Sequence, residues 1–262
     1  MTQVTTHTLT PTPTPTPTGT PTMACVRARR PLLVACVLAL VPVLFTGTGF
    51  AIGTIVGGTD AASYLGAAIG TSLCALLGVL VMSRLQPSLA EFGFRPPRNT
   101  TAALWFLPMA LVVALIWIGS GYAAQPGLVP VLVWVAVAAG FNEEIWYRGL
   151  ILALLRPRGV RRAIIVMSSL FGVLHLANAF NQGVSVLYLA LQVALAIVFG
   201  FVAAEVYEVV GSLWPVILWH AAFDASSYLT GDAITTPALL ALGVELVVML
   251  AYGVVLWRRV PR

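Results

Sequence analysis

Residues 128–154 read LVPVLVWVAVAAGFNEEIWYRGLILAL, an apolar run that contains three charged side chains. A helix of this length crosses the hydrocarbon core of a bilayer, which needs about 20 residues. A charge near the bilayer centre costs a few kcal/mol or more, so Glu143, Glu144 and Arg148 are expected to face other helices or a cavity rather than lipid. The run therefore predicts a membrane helix that contributes to a functional site.

The composition of the whole chain is that of a membrane protein. Of the 262 residues, 59% are hydrophobic and only 9% are charged, whereas about a quarter of the residues in a soluble domain are charged. The predicted fold is an all-α, polytopic transmembrane helical bundle. Apolar segments predict about eight spans, near residues 31–56, 62–82, 101–120, 128–154, 162–180, 184–209, 212–229 and 236–257.

The basic residues predict the orientation of the chain. All 14 are arginine, and apart from Arg148 they lie before the first span, between the second and third, between the fourth and fifth, or after the last. The positive-inside rule therefore places both termini in the cytoplasm. An arginine-only chain rich in alanine, valine and leucine indicates a bacterium of high genomic GC, and hence the bacterial cytoplasmic membrane. No clustered basic and aromatic surface is present, so no nucleic-acid partner is expected.

Two regions are predicted along the chain. Residues 1–26 begin with a Thr/Pro repeat that cannot bury a core and is expected to be disordered. Residues 27–262 are expected to form one integral membrane domain, with the functional motifs within about residues 128–228. The three cysteines do not match zinc-ligand spacing or a disulfide framework.

In the FNEEIWYRG segment, two adjacent glutamates point to different faces of the predicted helix. Glu144 and Arg148 are spaced i and i+4, in the orientation that favours an ion pair. Glu143 points about 100° away, toward Tyr147. If Arg148 neutralises Glu144, the unpaired Glu143 is the candidate general base.

Two later spans each carry a histidine. In FGVLHLAN, Phe171 and His175 are spaced i and i+4, and in WHAAFD the same spacing aligns His220 with Asp224. Counting about 1.5 Å per residue from the cytosolic ends places all three motifs at overlapping depths. The motifs can therefore form a single site.

The charges of this predicted site do not balance. Three carboxylates and one guanidinium sum to a formal charge of −2 with neutral histidines, which a dry pocket would not tolerate. A protonated carboxyl, a charged histidine or a bound divalent cation would reduce the imbalance, and the sequence leaves all three open. Two histidines and carboxylates suit Zn²⁺ with an open position for water. The candidate metal ligands are Glu143, His175, His220 and Asp224.

Taken together, EExxxR, FxxxH and HxxxD in this order resemble the CPBP family of intramembrane endopeptidases. That family includes the type II CAAX prenyl endopeptidases and bacterial relatives linked to bacteriocin self-immunity. The resemblance implies a helical bundle with a conical cavity open to the cytosol and the membrane, in which a glutamate and a histidine activate water to cleave a peptide bond.

By position, the resemblance also implies residue roles. Glu143 and His175 would activate water, while His220 and Asp224 would polarise the carbonyl and stabilise the oxyanion. The residues expected to organise the site are Glu144, Arg148 and Phe171. The family often has asparagine at the last motif position, and asparagine can donate to an oxyanion, whereas ionised Asp224 cannot. Asp224 must therefore be protonated, orient His220 or bind metal.

The predicted function is hydrolysis of a peptide bond in a membrane-associated or prenyl-type substrate by a glutamate-dependent protease, with Zn²⁺ as an open possibility. The expected partners are a peptide or membrane-protein substrate and membrane lipid. Two alternatives remain: a noncatalytic bacteriocin-immunity or scaffold protein, and an ion-coupled transporter. The chain lacks the inverted repeat that many transporters show, and a scaffold, unlike a protease, should survive Glu143→Gln.

Overall fold

The computed structural model describes residues 24–98, 106–180, 184–231 and 233–261. These residues form nine α-helices, short 3₁₀ turns and one π-helical turn, with no strand among them, which confirms the all-α prediction. The helices are α1 (Pro31–Gly57), α2 (Asp60–Leu85), α3 (Leu107–Ser120), α4 (Val129–Glu144), α5 (Leu152–Leu155), α6 (Val160–Leu174), α7 (Val186–Val210), α8 (Trp214–Thr230) and α9 (Thr236–Trp257).

Six helical segments of the described chain are long and apolar enough to cross a membrane. They are Pro31–Gly57, Asp60–Leu85, Pro126–Arg158, Val160–Phe180, Val186–Val210 and Thr236–Trp257. The other two predicted spans, 101–120 and 212–229, correspond to α3 with 14 residues and α8 with 17, and residues 101–105 lie outside the described chain. The count of eight spans is therefore not confirmed, although the chain is an integral membrane protein by its helices.

Helix α4 lies between α2 and α8, while α1 packs on α2, α6 on α7, and α3 on α9. The approach of α4 to α8 depends on Gly140. A Cβ at this position would lie 2.6 Å from the backbone nitrogen of Ala221, which is closer than any real side chain could approach. The absence of a side chain at residue 140 thus allows the carboxyl end of α4 to lie against the middle of α8.

The connections that carry the arginines meet at one end of the bundle. Three of these side chains contact the ends of α7 and α9: Arg95 Nε donates to the Gly211 carbonyl (2.8 Å), Arg156 pairs with Glu208 (2.5 Å), and Arg161 Nη2 donates to the Trp257 carbonyl (3.0 Å).

The amino-terminal part of the described chain packs against the same end. The Ala24 N–H donates to the Glu91 carbonyl and the Val26 N–H to the Ala153 carbonyl. Ala24 and Val26, which the predicted boundary at residue 27 assigns to the tail, thus hydrogen-bond to the folded part of the chain, and the division at residue 27 stays a prediction. Residues 1–23 lie outside the described chain.

Candidate active site

Glu144, the last residue of α4, is the structural centre of the site. Its side chain is completely buried, and Oε1 accepts hydrogen bonds from Arg148 Nη1 (2.8 Å) and His220 Nδ1 (2.7 Å). Arg148 Nη2 also donates to the Gly200 carbonyl (3.1 Å). The ion pair predicted from the i, i+4 spacing is confirmed, and it joins α4 to both α8 and α7.

The guanidinium of Arg148 is carried by a π-helical turn. Ile145–Ile151 follows α4 directly, and all seven residues of the turn are buried. Such turns are rare and are frequent at functional sites. The Arg148 Cζ lies 4.6 Å from the centre of the Phe171 ring, so an aromatic face adds a cation–π contact to the ion pair. Phe171 thereby holds the guanidinium from α6.

The hydrogen bond to Glu144 fixes the orientation of the His220 ring. A carboxylate paired with arginine only accepts hydrogen bonds, so Nδ1 carries the proton and Nε2 faces the opposite side. Nε2 lies 3.8 Å from Glu143 Oε2 and 3.6 Å from Asp224 Oδ2. Both separations exceed a direct hydrogen bond and leave room for an oxygen atom that bridges these groups.

Accessibility divides the charged residues into two sets. The side chains of Glu144 and Arg148 are 0% exposed, whereas those of Glu143 and Asp224 are 26% and 25% exposed. The two accessible carboxylates are the ones that face His220 Nε2. A molecule that enters the site would therefore meet Glu143, Asp224 and one edge of the imidazole, and would not reach the ion pair.

His175 lies at the edge of the same cluster, directly after α6. Its Nδ1 donates to the Phe171 carbonyl (2.8 Å), which leaves Nε2 as a hydrogen-bond acceptor in the neutral ring. The rings of His175 and His220 both contact Phe171, with centroids 5.0 and 5.9 Å away. Among the described residues, the Glu143 carboxyl has an imidazole nitrogen within 4 Å in His220, where Nε2 lies 3.8 Å from Oε2, but none in His175.

One aromatic neighbour of the site was missed by the sequence reasoning. Phe199 of α7 has its ring centroid 4.9 Å from that of His220 and 4.2 Å from that of Trp219. Phe199 lies in a continuous apolar run, and nothing in that run distinguishes it from lipid-facing residues. Only the packing of α7 against α8 shows that it forms an apolar wall beside the imidazole.

The described geometry does not fit the predicted Zn²⁺ site. Among the described residues, no group of three or more His, Cys, Asp or Glu side chains is placed to hold a metal ion. Among the four predicted ligands, the nitrogen–oxygen separations of 4 Å or less all involve His220, which approaches Glu143 and Asp224 through Nε2.

The fold and the site together define a helical membrane protein with an acid–histidine cluster between its helices. Residues 125–226 match the family model described as type II CAAX prenyl endopeptidase Rce1-like, which confirms over this segment the resemblance inferred from the three motifs. The matched family is one of CAAX-type membrane proteases. A comparison with curated proteins finds no match to the chain.

Proposed function

We propose that the chain is an intramembrane endopeptidase that hydrolyses a peptide bond with water activated by Glu143 and His175. The observation that carries this proposal is the position of His220, which is held by buried Glu144 through Nδ1 and presents Nε2 to the accessible carboxylates. The family match supports protease activity and does not favour the scaffold or transporter alternatives.

In the proposed reaction, Glu143 takes a proton from a water molecule while the oxygen of that water bonds to the carbonyl carbon of the scissile peptide. Neutral His175 orients the water molecule by accepting a hydrogen bond from its second O–H group at Nε2. Glu143 then returns the proton to the nitrogen of the leaving amine as the C–N bond breaks. The two products are a carboxylic acid and an amine, and no covalent bond to the enzyme forms.

His220 stabilises the oxyanion in this proposal. A proton on Nε2 reduces the charge imbalance of the site and provides a donor to the carbonyl oxygen, beside the rings of Phe199 and Phe171. Donors aimed at a developing oxyanion contribute about 10²–10³ in rate. Asp224 lies 3.6 Å from Nε2 and, in this proposal, favours the protonated ring.

The proposed substrate is a peptide segment of a membrane-associated or prenyl-type protein. Two of the three segments that carry the cluster, Pro126–Arg158 and Val160–Phe180, are long and apolar enough to cross a membrane, so the scissile bond must reach it from within or beside the bilayer. We further propose eight crossings, with both termini in the cytoplasm of a bacterium. The meeting of the arginine-bearing connections at one end supports that orientation.

A quenched membrane-peptide library tests the proposal with detergent-purified protein. Wild type is expected to cleave library members, and Glu143→Gln is expected to lose about 10²–10⁴-fold in rate, the usual contribution of a general base. Glu91→Gln removes the same charge outside the site and should leave the rate unchanged. Equal cleavage by wild type and Glu143→Gln, or none by either, would contradict the proposal.

The metal content of the same samples tests the Zn²⁺ alternative. Activity without a stoichiometric metal is expected from the described geometry. A metal that copurifies with wild type at one equivalent, and whose removal abolishes cleavage reversibly, would instead restore the metal-dependent alternative.

A further inference from the structure

An apolar groove runs along the outer surface of the bundle between α7 and α9. Its volume is about 450 Å³, equal to about fifteen groups of roughly 30 Å³, the volume of a water molecule and close to that of a methylene. Its walls include Ile197, Phe201, Leu250 and Val254. The groove therefore has room for one hydrocarbon chain.

A carboxyl group lies among these apolar walls. Glu205 of α7 lines the groove, is 0% exposed, and has no hydrogen-bond partner for either carboxyl oxygen among the described residues. A buried polar group without a partner is unfavourable, and structures rarely retain one. The proposed catalytic cluster does not use this carboxyl, so it needs another explanation.

Gly253 of α9 lies beside the Glu205 carboxyl and leaves space for it to move toward the groove. A Cβ on residue 253 would lie 3.1 Å from Glu205 Oε2 and 3.5 Å from Val202 Cγ2, and Gly253 itself lines the groove. Because residue 253 has no side chain, the carboxyl can turn past it toward a ligand. A methyl group at this position would obstruct that movement.

The polar groups of the groove follow an order along the axis of α9. Arg258, which is exposed, and half-buried Trp257 lie at the end of α9, and tryptophan is common at the membrane–water interface. Gly253, next to the Glu205 carboxyl, is five residues or about 7.5 Å deeper. From the surface inward, the groove thus presents a guanidinium, then a carboxyl, then hydrocarbon.

We propose that this groove binds a lysophospholipid. The phosphate would contact the Arg258 guanidinium, the free glycerol hydroxyl just below it would donate to the Glu205 carboxyl, and the single acyl chain would occupy the apolar walls. The hydroxyl supplies the hydrogen bond that Glu205 lacks. A diacyl phospholipid, whose second glycerol oxygen is esterified, has no free hydroxyl at this depth.

Native mass spectrometry of the detergent-purified chain tests the proposal with two lipids that differ in one group. Palmitoyl lysophosphatidylcholine has its glycerol hydroxyl as its only hydrogen-bond donor, and its 2-O-methyl ether has none. Wild type is expected to bind the hydroxyl lipid several-fold more tightly, about threefold to tenfold, because the ether lacks the donor for a hydrogen bond to the Glu205 carboxyl.

Two substitutions assign the preference to this groove. Glu205→Met keeps the side-chain length, removes the acceptor and leaves no buried polar group, so it should fold at least as well as wild type and bind both lipids equally. Gly253→Ala should weaken the preference several-fold by blocking the carboxyl. Gly243→Ala is the matched control, since a Cβ there has nothing within 4 Å.

Equal binding of the two lipids by wild type, or a preference that persists in Glu205→Met, would overturn the proposal and assign the lipid to nonspecific contact. Peptide cleavage is measured on the same variants. The groove proposal does not depend on the peptidase proposal, so Glu205→Met is expected to change lipid preference without the loss of activity expected of Glu143→Gln.

Discussion

At the scale of single residues, two adjacent glutamates have different surroundings. Glu144 is completely buried between Arg148 and His220, while the side chain of Glu143 is 26% exposed and faces Nε2 of the same histidine. The rotation of about 100° per residue along a helix places the two carboxylates on different sides. We expect Glu144 to stabilise the fold and orient His220, and Glu143 to take part in the reaction with the substrate.

Arg148→Met is expected to destabilise the protein by about 3–5 kcal/mol, because it removes the guanidinium that pairs with the buried Glu144 carboxylate. Thermal unfolding in detergent measures the effect. Arg84→Met is the matched control: Arg84 is exposed, and its replacement should change the free energy of unfolding by no more than about 0.5 kcal/mol. Equal melting temperatures for the two variants would contradict the structural importance of the ion pair.

Asp224→Asn is expected to keep peptide cleavage within about tenfold of wild type, because the amide can donate a hydrogen bond to the oxyanion directly. Asp224→Ala removes the carboxyl charge and leaves no side chain that could donate to the oxyanion. Its cleavage rate should fall about 10²–10³-fold, the range found for an oxyanion-stabilising group. Rates on one cleaved library peptide provide the comparison. A loss by Asp224→Asn as large as that by Asp224→Ala would show that the carboxylate itself is required.

The residue contacts that could be predicted from sequence are those within one helix. The Glu144–Arg148 pair follows from i, i+4 spacing, which any helix or near-helical turn preserves. The Glu144–His220 hydrogen bond and the Phe199–His220 contact join different helices, so they depend on how each helix is rotated about its axis. No pattern in a single sequence specifies that rotation.

At the scale of elements, the site depends on how α4 approaches α8 and how α4 continues. Gly140 allows the approach, and the π-helical turn Ile145–Ile151 extends α4 with every residue buried. Sequence predicted this segment as one continuous α-helix, because a π-helical turn has the same apolar composition as its surroundings. The π-helical turn is therefore identified by the backbone of the structure and not by the sequence.

Gly140→Ala is expected to push α8 away from α4, since its Cβ would meet the Ala221 backbone. Overpacking of this kind costs about 1–3 kcal/mol, and a displacement of about 1 Å at the reacting groups can lower the rate about 10²-fold. Both thermal stability and cleavage should fall, whereas Gly243→Ala in α9 should change neither. Unchanged cleavage by Gly140→Ala would show that the site tolerates a wider separation of these helices.

At the scale of the whole molecule, hydropathy predicted the all-helical membrane fold correctly, but the number of crossings was not confirmed. The long apolar helices are evident because a span of about 20 apolar residues is a strong signal. Helices α3 and α8 are shorter, with 14 and 17 residues, and α8 carries the polar side chains of the site. Its contribution to the membrane domain comes from packing on α4, which composition alone does not reveal.

Cysteine labelling tests the proposed orientation of the bundle. In a chain whose Cys25, Cys36 and Cys74 are replaced by serine or alanine, a membrane-impermeant maleimide should label Arg158→Cys in inside-out vesicles and not in intact cells. Asp60→Cys, at the turn between α1 and α2, should show the opposite pattern. Labelling of Arg158→Cys from outside would reverse the proposed cytoplasmic side.

The division of roles between the two glutamates is tested most directly by measuring peptide cleavage and thermal unfolding on purified Glu143→Gln and Glu144→Gln side by side. We predict that Glu143→Gln abolishes cleavage while its melting temperature stays close to that of wild type. Glu144→Gln should lower the melting temperature markedly, because it weakens the buried pair with Arg148. Full cleavage by folded Glu143→Gln would contradict the proposal that this carboxylate activates water.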